Sequence, residues 1–550
     1  MLRRPGRILL CLVLGVALAG CEALGGLQPT PPPIILIATP TPEQQGPAAT
    51  EAPAQPATPA PAATEAAPQP AATPAPDATA APPEQAGGTV TFAFDSFPSY
   101  FPGVIAEVRG LLAQRGYELE LVPFGLDGND FSEAERFERL RSGEWDVLAT
   151  TLDGFARQGD PAIGAITALV DESAGADKLV AAPGIATIND LRGKRVAYSE
   201  GSVGEFFLYY ALSLAGLGPG DVTLVARPTV AEAVAAYTSG EADAVSAWEP
   251  DVLAAEEQGA QVLIASDKLR AILDVLVTSR QSIESRPAAV QAFHEAWFEA
   301  LKLMIDSPAD AEQAIIEWGN TDWSLIAAPG DLTASLESLA QATLGANQIA
   351  FRSPDVLVSR IAQAQDVWRR AGQSVPEADL AQLIDGRFVA ASAQDPGLFS
   401  TQPPANSSFL LTSRIDLPQL SQQEQQQTEA VVQLPIEKID FEPDSLRLTE
   451  QAQRDLIEQV LPVLRSSTLY LKIEGSSAWP GPEGRFTAEE IRAFARDRAT
   501  SVATFLSQQG INPNRFIIGT LEPKYPNSIN EAELAQDRIV RFTLVTLPGR

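Results

Sequence analysis

The feature that most constrains this chain is a regular alternation of short apolar strands and longer helical segments, beginning at Thr89. The first run predicts strands at 89–94, 118–123 and 145–150, with helices at 104–114 and 131–141 between them. A second run predicts strands at 194–198, 222–226 and 242–247, with helices at 203–215 and 230–239. Strands that alternate with helices in this way indicate an α/β domain with a largely parallel sheet. The chain from Arg286 to about 390 is predicted to be mostly helical.

The segment before Thr89 has a very different composition. Residues 28–88 contain 17 prolines and five acidic residues but no lysine or arginine. Proline removes backbone donors, and alanine, threonine and glutamine bury little area, so the cost of ordering such a segment is not offset. We therefore predict that residues 21–88 form a disordered, polyproline-II-biased tether.

The first 20 residues have the pattern of an export signal. Three arginines precede a short apolar run that is too short for a confident membrane span. The run ends in Leu18-Ala19-Gly20-Cys21, which resembles the lipobox of bacterial lipoproteins. The resemblance implies cleavage after Gly20 and lipidation of Cys21; the alternative is an ordinary signal peptide with a chance cysteine.

Charge and composition exclude several classes of function. The formal net charge is −31, with one histidine and two cysteines, Cys11 and Cys21. Nucleic acid is therefore an improbable partner, because phosphate binding needs a basic surface. His-rich metal sites, zinc knuckles and iron–sulfur clusters are also excluded by residue count, and we predict no cofactor. Residues 89–390 hold 44 acidic and 21 basic residues, so −23 of the net charge belongs to this part of the chain.

Five segments in register resemble the nitrate/sulfonate/taurine-type substrate-binding proteins of ABC transporters. They are Ile188–Ala197, Gly201–Leu208, Ala215–Leu217, Asp221–Val225 and Ser239–Pro250. The resemblance implies a two-lobed periplasmic-binding-protein-like (type II) domain at 89–390, whose lobes close on a small solute. It also implies an ABC permease as a partner.

Candidate ligand-binding residues lie where strands end and helices begin, because ligands of open α/β sheets bind there. Backbone N–H groups at 202–203 would favour an anionic group. The resemblance adds Ser173 near the hinge. The full set is Ser96, Phe97, Thr150, Thr151, Ser173, Ser202, Val203, Glu205, Trp248 and Glu249.

Each of these residues has a structural alternative. Ser202 is equally suited to capping a helix, Trp248 to packing a lobe edge, and Thr150 and Thr151 to ending a strand. Glu205 and Glu249 are alternatively solvated carboxylates; inside a cleft they would favour an amine or guanidinium. The four strand-end and helix-start stretches that hold these candidates, at 96–97, 150–151, 202–203 and 248–249, contain no arginine. We therefore expect a small zwitterion or neutral polar ligand rather than a simple oxyanion.

No enzyme chemistry is predicted. His294 has bulky neighbours at helical spacing, which indicates a packed or surface residue. Carboxylate pairs such as Asp171-Glu172 are interpreted as solvated faces.

After a predicted linker at 391–433, residues 434–550 resemble the OmpA-like domain that grips peptidoglycan. The matching pieces are Ile439–Ser445, Ile473–Gly475, Asp497–Val502, Gly510–Ile511 and Asp537–Val540. Strands are predicted at 436–441, 470–474, 516–520 and 539–545, and helices at 449–464 and 488–509. The family's ligand-binding arginine is present as Arg498, but Ser476 replaces its aspartate, so binding of peptidoglycan or of another protein both stay open.

The sequence thus predicts a lipid-anchored, extracytoplasmic solute-binding protein that serves an ABC-type importer and carries an OmpA-like module. Two alternatives remain. One is a structural lipoprotein with a degenerate receptor domain that links membrane to wall, and the other is a ligand sensor.

Overall fold

The computed structural model describes residues 87–126, 130–403, 415, 417–436, 438–441 and 445–548. The predicted signal peptide, the lipidation site at Cys21 and nearly all of the predicted tether lie outside these residues. Within the described part of the chain, no helix combines the length and apolarity that a membrane crossing needs.

The strands of the described residues are numbered in chain order. They are β1 (Thr89–Phe94), β2 (Glu118–Pro123), β3 (Val147–Thr151), β4 (Gly164–Ser173), β5 (Asp177–Ala181), β6 (Arg195–Ser199), β7 (Thr223–Arg227), β8 (Ala244–Trp248), β9 (Gln261–Ala265), β10 (Leu273–Ser279), β11 (Leu339–Gln341), β12 (Glu429–Gln433), β13 (Tyr470–Gly475), β14 (Phe516–Thr520) and β15 (Val540–Thr546).

The helices between them are identified below by their residues. They are Pro102–Val108, Glu133–Ser142, Leu152–Gln158, Val203–Leu214, Val230–Thr238, Leu253–Glu257, Arg280–Ser285, Pro287–Asp306, Pro308–Trp318, Thr321–Ser324, Asp331–Ser335, Leu344–Arg352, Pro354–Arg370, Arg387–Ser392, Gln422–Gln427, Glu450–Asp455, Leu461–Arg465, Ala488–Gln508 and Glu531–Gln536. A π-helical turn at Leu456–Val460 joins the two short helices on either side of it.

Two α/β lobes are built from the first eleven strands. The first lobe holds a sheet in the order β11-β4-β10-β3-β1-β2, and the second lobe a sheet in the order β7-β6-β8-β5-β9. The predicted two-lobed α/β architecture is therefore present. In the first lobe, Phe92, Phe94, Phe293 and Trp297 form one aromatic core between β1 and the helix Pro287–Asp306.

The expectation of a largely parallel sheet is wrong for both lobes, because each sheet is mixed. In the first lobe β1 pairs in parallel with β2 and β3, while β10 runs antiparallel to β3 and β4. In the second lobe β6 is parallel to β7 and β8, while β5 is antiparallel to β8 and β9. The antiparallel strands β4, β5, β9 and β10 are those that carry the chain between lobes, and no prediction placed them.

The chain crosses between the lobes twice, from β4 to β5 and from β9 back to β10. Glu172 on the first crossing is fully buried and forms ion pairs with Arg270 on the second crossing and with Arg360. Arg360 lies on the helix Pro354–Arg370, which packs against helices of both lobes. The Arg360 guanidinium also donates a hydrogen bond to the Arg270 carbonyl. The two crossings and this helix are thereby joined by one buried ionic network.

A separate four-stranded sheet in the order β12-β15-β13-β14 forms the C-terminal module. The strands near 470, 516 and 540 and the two helical segments match the predicted pattern. The first strand differs: β12 begins at Glu429, inside the predicted linker, and the described residues of 436–441 contribute only an isolated bridge from Phe441 to Leu448. Val431 and Val432 are buried in β12, and Leu434 and Pro435 follow this strand.

The C-terminal module is docked on the second lobe and on the return crossing. The backbone N–H of Arg270 donates to the Ser466 carbonyl at 2.7 Å, and the N–H of Thr468 donates to the Lys268 carbonyl at 2.9 Å. The Tyr210 hydroxyl hydrogen-bonds with the Ser466 hydroxyl at 2.7 Å. Residues of both lobes and of the module share one hydrophobic cluster. The described residues of the two lobes and of the module therefore pack as one unit.

Candidate ligand-binding cleft

The candidate cleft lies between the first sheet and the second lobe. On the side of the first sheet, it is bordered by the edge at which β4 ends and β10 begins. β3 ends and β10 begins at this same edge, because Asp274 lies opposite both Thr151 and Asp171 in the antiparallel pairings. Asp95 directly follows β1, which runs parallel to β3. The predicted strand-end residues of the first lobe are therefore brought to one edge.

The predicted ligand-binding residues of the first lobe differ in their burial and in their contacts within the chain. Ser96 is exposed, and Phe97 is half-buried against the Tyr100 ring at 5.3 Å. Thr150 is 9% exposed. The Thr151 hydroxyl accepts a hydrogen bond from the Gly154 N–H and caps the helix Leu152–Gln158. Thr151 is also the last residue of β3, which is the structural role given as its alternative, and its contact with a ligand stays a prediction.

The second lobe presents the start of the helix Val203–Leu214. Ser202 caps this helix, because its hydroxyl accepts from the Gly204 N–H at 3.2 Å and donates to the Ser199 carbonyl at 2.7 Å. Glu205 is 4% exposed and accepts from the Gly201 N–H at 2.8 Å, so the solvated alternative for this carboxylate is wrong. The N–H groups of Gly201 and Gly204 at this turn are therefore satisfied from within the chain, and the anion site at the N–H groups of 202–203 stays a prediction.

Trp248 and Glu249 lie at the end of β8. Trp248 is half-buried beside Gly204. Glu249 forms an ion pair with Lys178 of the second lobe at 2.8 Å and accepts a hydrogen bond from the Ser338 hydroxyl at 3.0 Å. Because Ser338 directly precedes β11 of the first lobe, Glu249 joins the two lobes. The Glu249 side chain is thus paired and 30% exposed.

Ser173 lies at the first crossing, as the resemblance implies for a hinge residue. It is fully buried, and its hydroxyl donates to Asp177 at 2.7 Å and hydrogen-bonds with Ser266 at 2.8 Å. Because Ser266 lies on the return crossing, Ser173 links the two crossings. Its contact with a ligand stays a prediction.

Arginine enters the cleft from outside the stretches that sequence reasoning selected. Arg157 forms an ion pair with Glu133 of the same lobe and lies 3.9 Å from Glu205 of the second lobe. Its guanidinium stacks over the Trp368 ring, 4.6 Å from the ring centre. The stretches selected from the sequence contain no arginine, but helix packing brings Arg157 beside Glu205, which is distant from it in sequence.

Asp171 and Glu172 are buried rather than solvated, so their interpretation as an exposed pair is wrong. Burial raises the pKa of Asp171 to about 7 and holds the pKa of Asp274 well above its usual range. Burial also raises the pKa of Asp153 to about 7 and that of Asp177 to about 7. The signal that sequence reasoning missed is a charged residue at the end of a long apolar strand, at Asp171 after 165–170 and at Asp274 before 275–277.

His294 is a packed residue of the first lobe. Its Nδ1 contacts the Val290 carbonyl and its Nε2 the Thr167 hydroxyl, each at 2.9 Å, and its ring stacks on Phe388. Burial lowers the pKa of His294 to about 4, so the ring is neutral at pH 7. These contacts account for this histidine as a core residue.

In the C-terminal module, Arg498 lies on the helix Ala488–Gln508 and packs against two aromatic rings. Its guanidinium stacks over the rings of Phe441 and Phe494, with ring centres at 5.0 and 4.6 Å. Its Nε atom is buried and has no hydrogen-bond partner among the described residues. Asp537 accepts hydrogen bonds from the N–H groups of Lys524 and Tyr525 at 2.6 and 3.0 Å, so its carboxylate stabilises the backbone at 524–525.

Comparisons with known proteins address the receptor domain. Residues 101–311 match the family model described as "NMT1/THI5 like". A taurine-binding periplasmic protein of Escherichia coli (strain K12) is 31% identical over 144 residues, which is 26% of this chain. The chain spans 44% of the length of that relative.

Two solved structures align with about half of this chain. The periplasmic aliphatic sulphonate binding protein SsuA of Escherichia coli is 22% identical, with 54% of this chain and 97% of that chain covered and a TM-score of 0.42. The periplasmic nitrate-binding protein NrtA of Synechocystis PCC 6803 is 14% identical, with 57% and 92% covered and a TM-score of 0.43. The family match and the curated relative thus show that residues 101–311 are similar to the NMT1/THI5-like family and that part of this chain is similar in sequence to a periplasmic taurine-binding protein.

The buried carboxylates predict that stability falls as pH rises. Asp171 has a folded pKa of about 7 against an ordinary value of 3.8, so the folded state binds more protons than the unfolded chain between these values. His294 opposes this trend, because its pKa falls from 6.5 to about 4, but several carboxylates outweigh one imidazole. We expect a lower melting temperature at about pH 7.5 than at about pH 5.

The variant Asp171→Asn should flatten this pH dependence, since it removes one of the shifted carboxyls. The exposed Asp322→Asn is the matched control and should retain the wild-type slope. Melting temperatures measured across this pH range by differential scanning fluorimetry decide the point. An unchanged slope in Asp171→Asn would show that this carboxyl titrates normally.

Proposed function

We propose that residues 89 to about 400 form a solute receptor that holds a small polar molecule between its two lobes. The observation that carries the proposal is the meeting of charged side chains from both lobes. Glu133 and Arg157 of the first lobe face Glu205 at the helix start of the second lobe. A ligand between the lobes would therefore meet both a guanidinium and carboxylates.

Groups of both signs suit a zwitterion better than a simple oxyanion. Arginine binds carboxylate or sulfonate oxygens through its planar fork of donors, and carboxylates bind ammonium groups. Arg136 adds a second guanidinium to this region and acts on the charge of Asp95. Homology to a protein named for taurine binding supports this ligand class, since taurine carries an ammonium and a sulfonate group. We propose a zwitterion, amine or sulfonate as the ligand class, and no catalytic activity.

We further propose that the receptor is anchored through a lipid at Cys21, works on the extracytoplasmic face of a membrane and delivers its solute to an ABC permease. The lipobox-like sequence supports the anchor. The periplasmic relative supports the compartment.

A second candidate function is attachment to the cell wall through the C-terminal module. Arg498 favours it, because its buried Nε atom lacks a partner and its charge is held between two aromatic rings. Arginine in such a setting suits a carboxylate. Ser476 and Ser477, which stand where the resembled family has its aspartate, are buried and supply no charge for an ammonium group.

Solute binding should appear as a rise in melting temperature. A ligand that binds the folded state stabilises it by mass action, so taurine at about 100 times its dissociation constant should add about 2.7 kcal/mol. The variant Arg157→Met should lose most of this stabilisation. Arg139→Met, which removes an arginine that pairs with Glu144 on the same lobe, is the control.

Wall attachment should depend on Arg498. We expect Arg498→Ala to be retained on purified peptidoglycan much less than wild type, because a charge-assisted contact is worth about 1.5–3 kcal/mol. Arg492→Ala removes an exposed arginine of the same helix that pairs with Glu522 and serves as the control. Equal retention of Arg498→Ala and wild type in a co-sedimentation assay would eliminate this site.

A further inference from the structure

Buried acceptor oxygens of Asp171 and Gln341 lie together at the first-lobe edge of the candidate cleft. Asp171 on β4 is fully buried, and the Ser99 hydroxyl and the Asp274 carboxyl lie against its carboxyl without making a hydrogen bond of good geometry. Gln341 on β11 lies directly opposite Asp171 in the strand register and is 3% exposed. Its Nε2 donates to the Ser99 hydroxyl at 2.7 Å, whereas its Oε1 has no partner.

The surroundings of these oxygens are acidic. Asp274 lies opposite Asp171 on the other side of β4, and its carboxyl accepts from the Tyr100 hydroxyl. Asp177, which begins β5, also acts on the charge of Asp171. Carboxylates that are buried without sufficient donors are costly unless they are paired or protonated. The site therefore favours a positively charged donor that enters from the cleft.

We propose that Asp171, Asp274 and Gln341 form a subsite for a primary ammonium group of the solute. A primary ammonium has three N–H donors and no acceptor, so it can donate to the carboxyls of Asp171 and Asp274 and to the Gln341 Oε1 atom, which has no partner among the described residues. A planar guanidinium offers five donors in a fixed fork and matches this set less well. Among the described residues, no group of carboxylates, histidines or cysteines has the arrangement of a metal site.

The subsite also orients the ligand. An ammonium bound at the first-lobe edge directs the rest of a small molecule away from the sheet, toward Arg157 and the helix start of the second lobe. An anionic group at that end meets a guanidinium, so each end of a zwitterion binds its own partner. The inference rests on the proposed function, because it assigns one end of the ligand in the same cleft.

A matched pair of probes tests the subsite. Taurine and isethionate share an ethanesulfonate body, and isethionate carries a hydroxyl where taurine carries an ammonium. Isothermal titration of the full chain should show taurine binding roughly 10- to 100-fold more tightly than isethionate, since the ammonium makes charge-assisted hydrogen bonds. Asp171→Asn should weaken taurine binding to a similar extent and leave isethionate unchanged, and the exposed Asp322→Asn should change neither.

Gln341→Met serves as the second variant, because it removes the Oε1 acceptor and keeps the side-chain volume. It should weaken taurine binding selectively even if Asp171→Asn folds poorly. Equal affinities for taurine and isethionate, with no loss in either variant, would overturn the subsite and leave the proposed function standing. Absence of binding by taurine, isethionate, glycine, ethanolamine and putrescine would contradict both the subsite and the proposed function.

Discussion

The ionic network at Glu172 is the constraint on which the two-lobed architecture depends. This fully buried carboxylate forms ion pairs with Arg270 on the return crossing and with Arg360 on the helix that packs against both lobes. Removing one member of such a buried network costs about 3–5 kcal/mol, because it leaves charges without partners. The network fixes where the chain leaves the first lobe and where it returns, and hence where the two sheet edges face each other.

The same crossing also anchors the C-terminal module. The backbone N–H of Arg270 donates to Ser466, so the residue whose side chain pairs with Glu172 also holds the module. Within the module, Arg515 is 1% exposed and donates to the carbonyls of Ser467 and Leu469, which fixes the loop that reaches the crossing. The crossings between the lobes and the docking site of the module therefore lie in one place.

The fold could be predicted where hydrophobic periodicity is local. The helix Val203–Leu214 and the strands around Arg195 and Ala244 follow from their own sequence. β4 and β10 could not be placed in the same way, because they are buried on both faces and show no alternation. β12 was missed because Val431 and Val432 are adjacent, and their burial depends on pairing with β15, which is more than a hundred residues away.

The sequence predicted where the candidate cleft lies in the chain but did not predict the charged side chains that lie there. The rule that ligands bind at strand ends predicted contacts at Ser96, Thr151, Ser202 and Trp248. In the structure, the hydroxyls of Ser202 and Thr151 cap helices. Arg157 and Asp171 reach the cleft only through tertiary packing, from a helix end and from a buried strand. Charges that meet between lobes are properties of the assembled fold and leave no local pattern.

The central claim is that the two lobes close on a small solute. The described residues contain no cysteine. In a variant whose Cys11 and Cys21 are replaced by serine, an introduced cysteine is therefore the only thiol at which a spin label can attach. Ala134→Cys and Ala231→Cys put spin labels at exposed helix starts on the first and second lobes. Double electron–electron resonance should show a shorter and narrower distance distribution when taurine is added. A distribution that taurine leaves unchanged would contradict closure of the lobes on this solute.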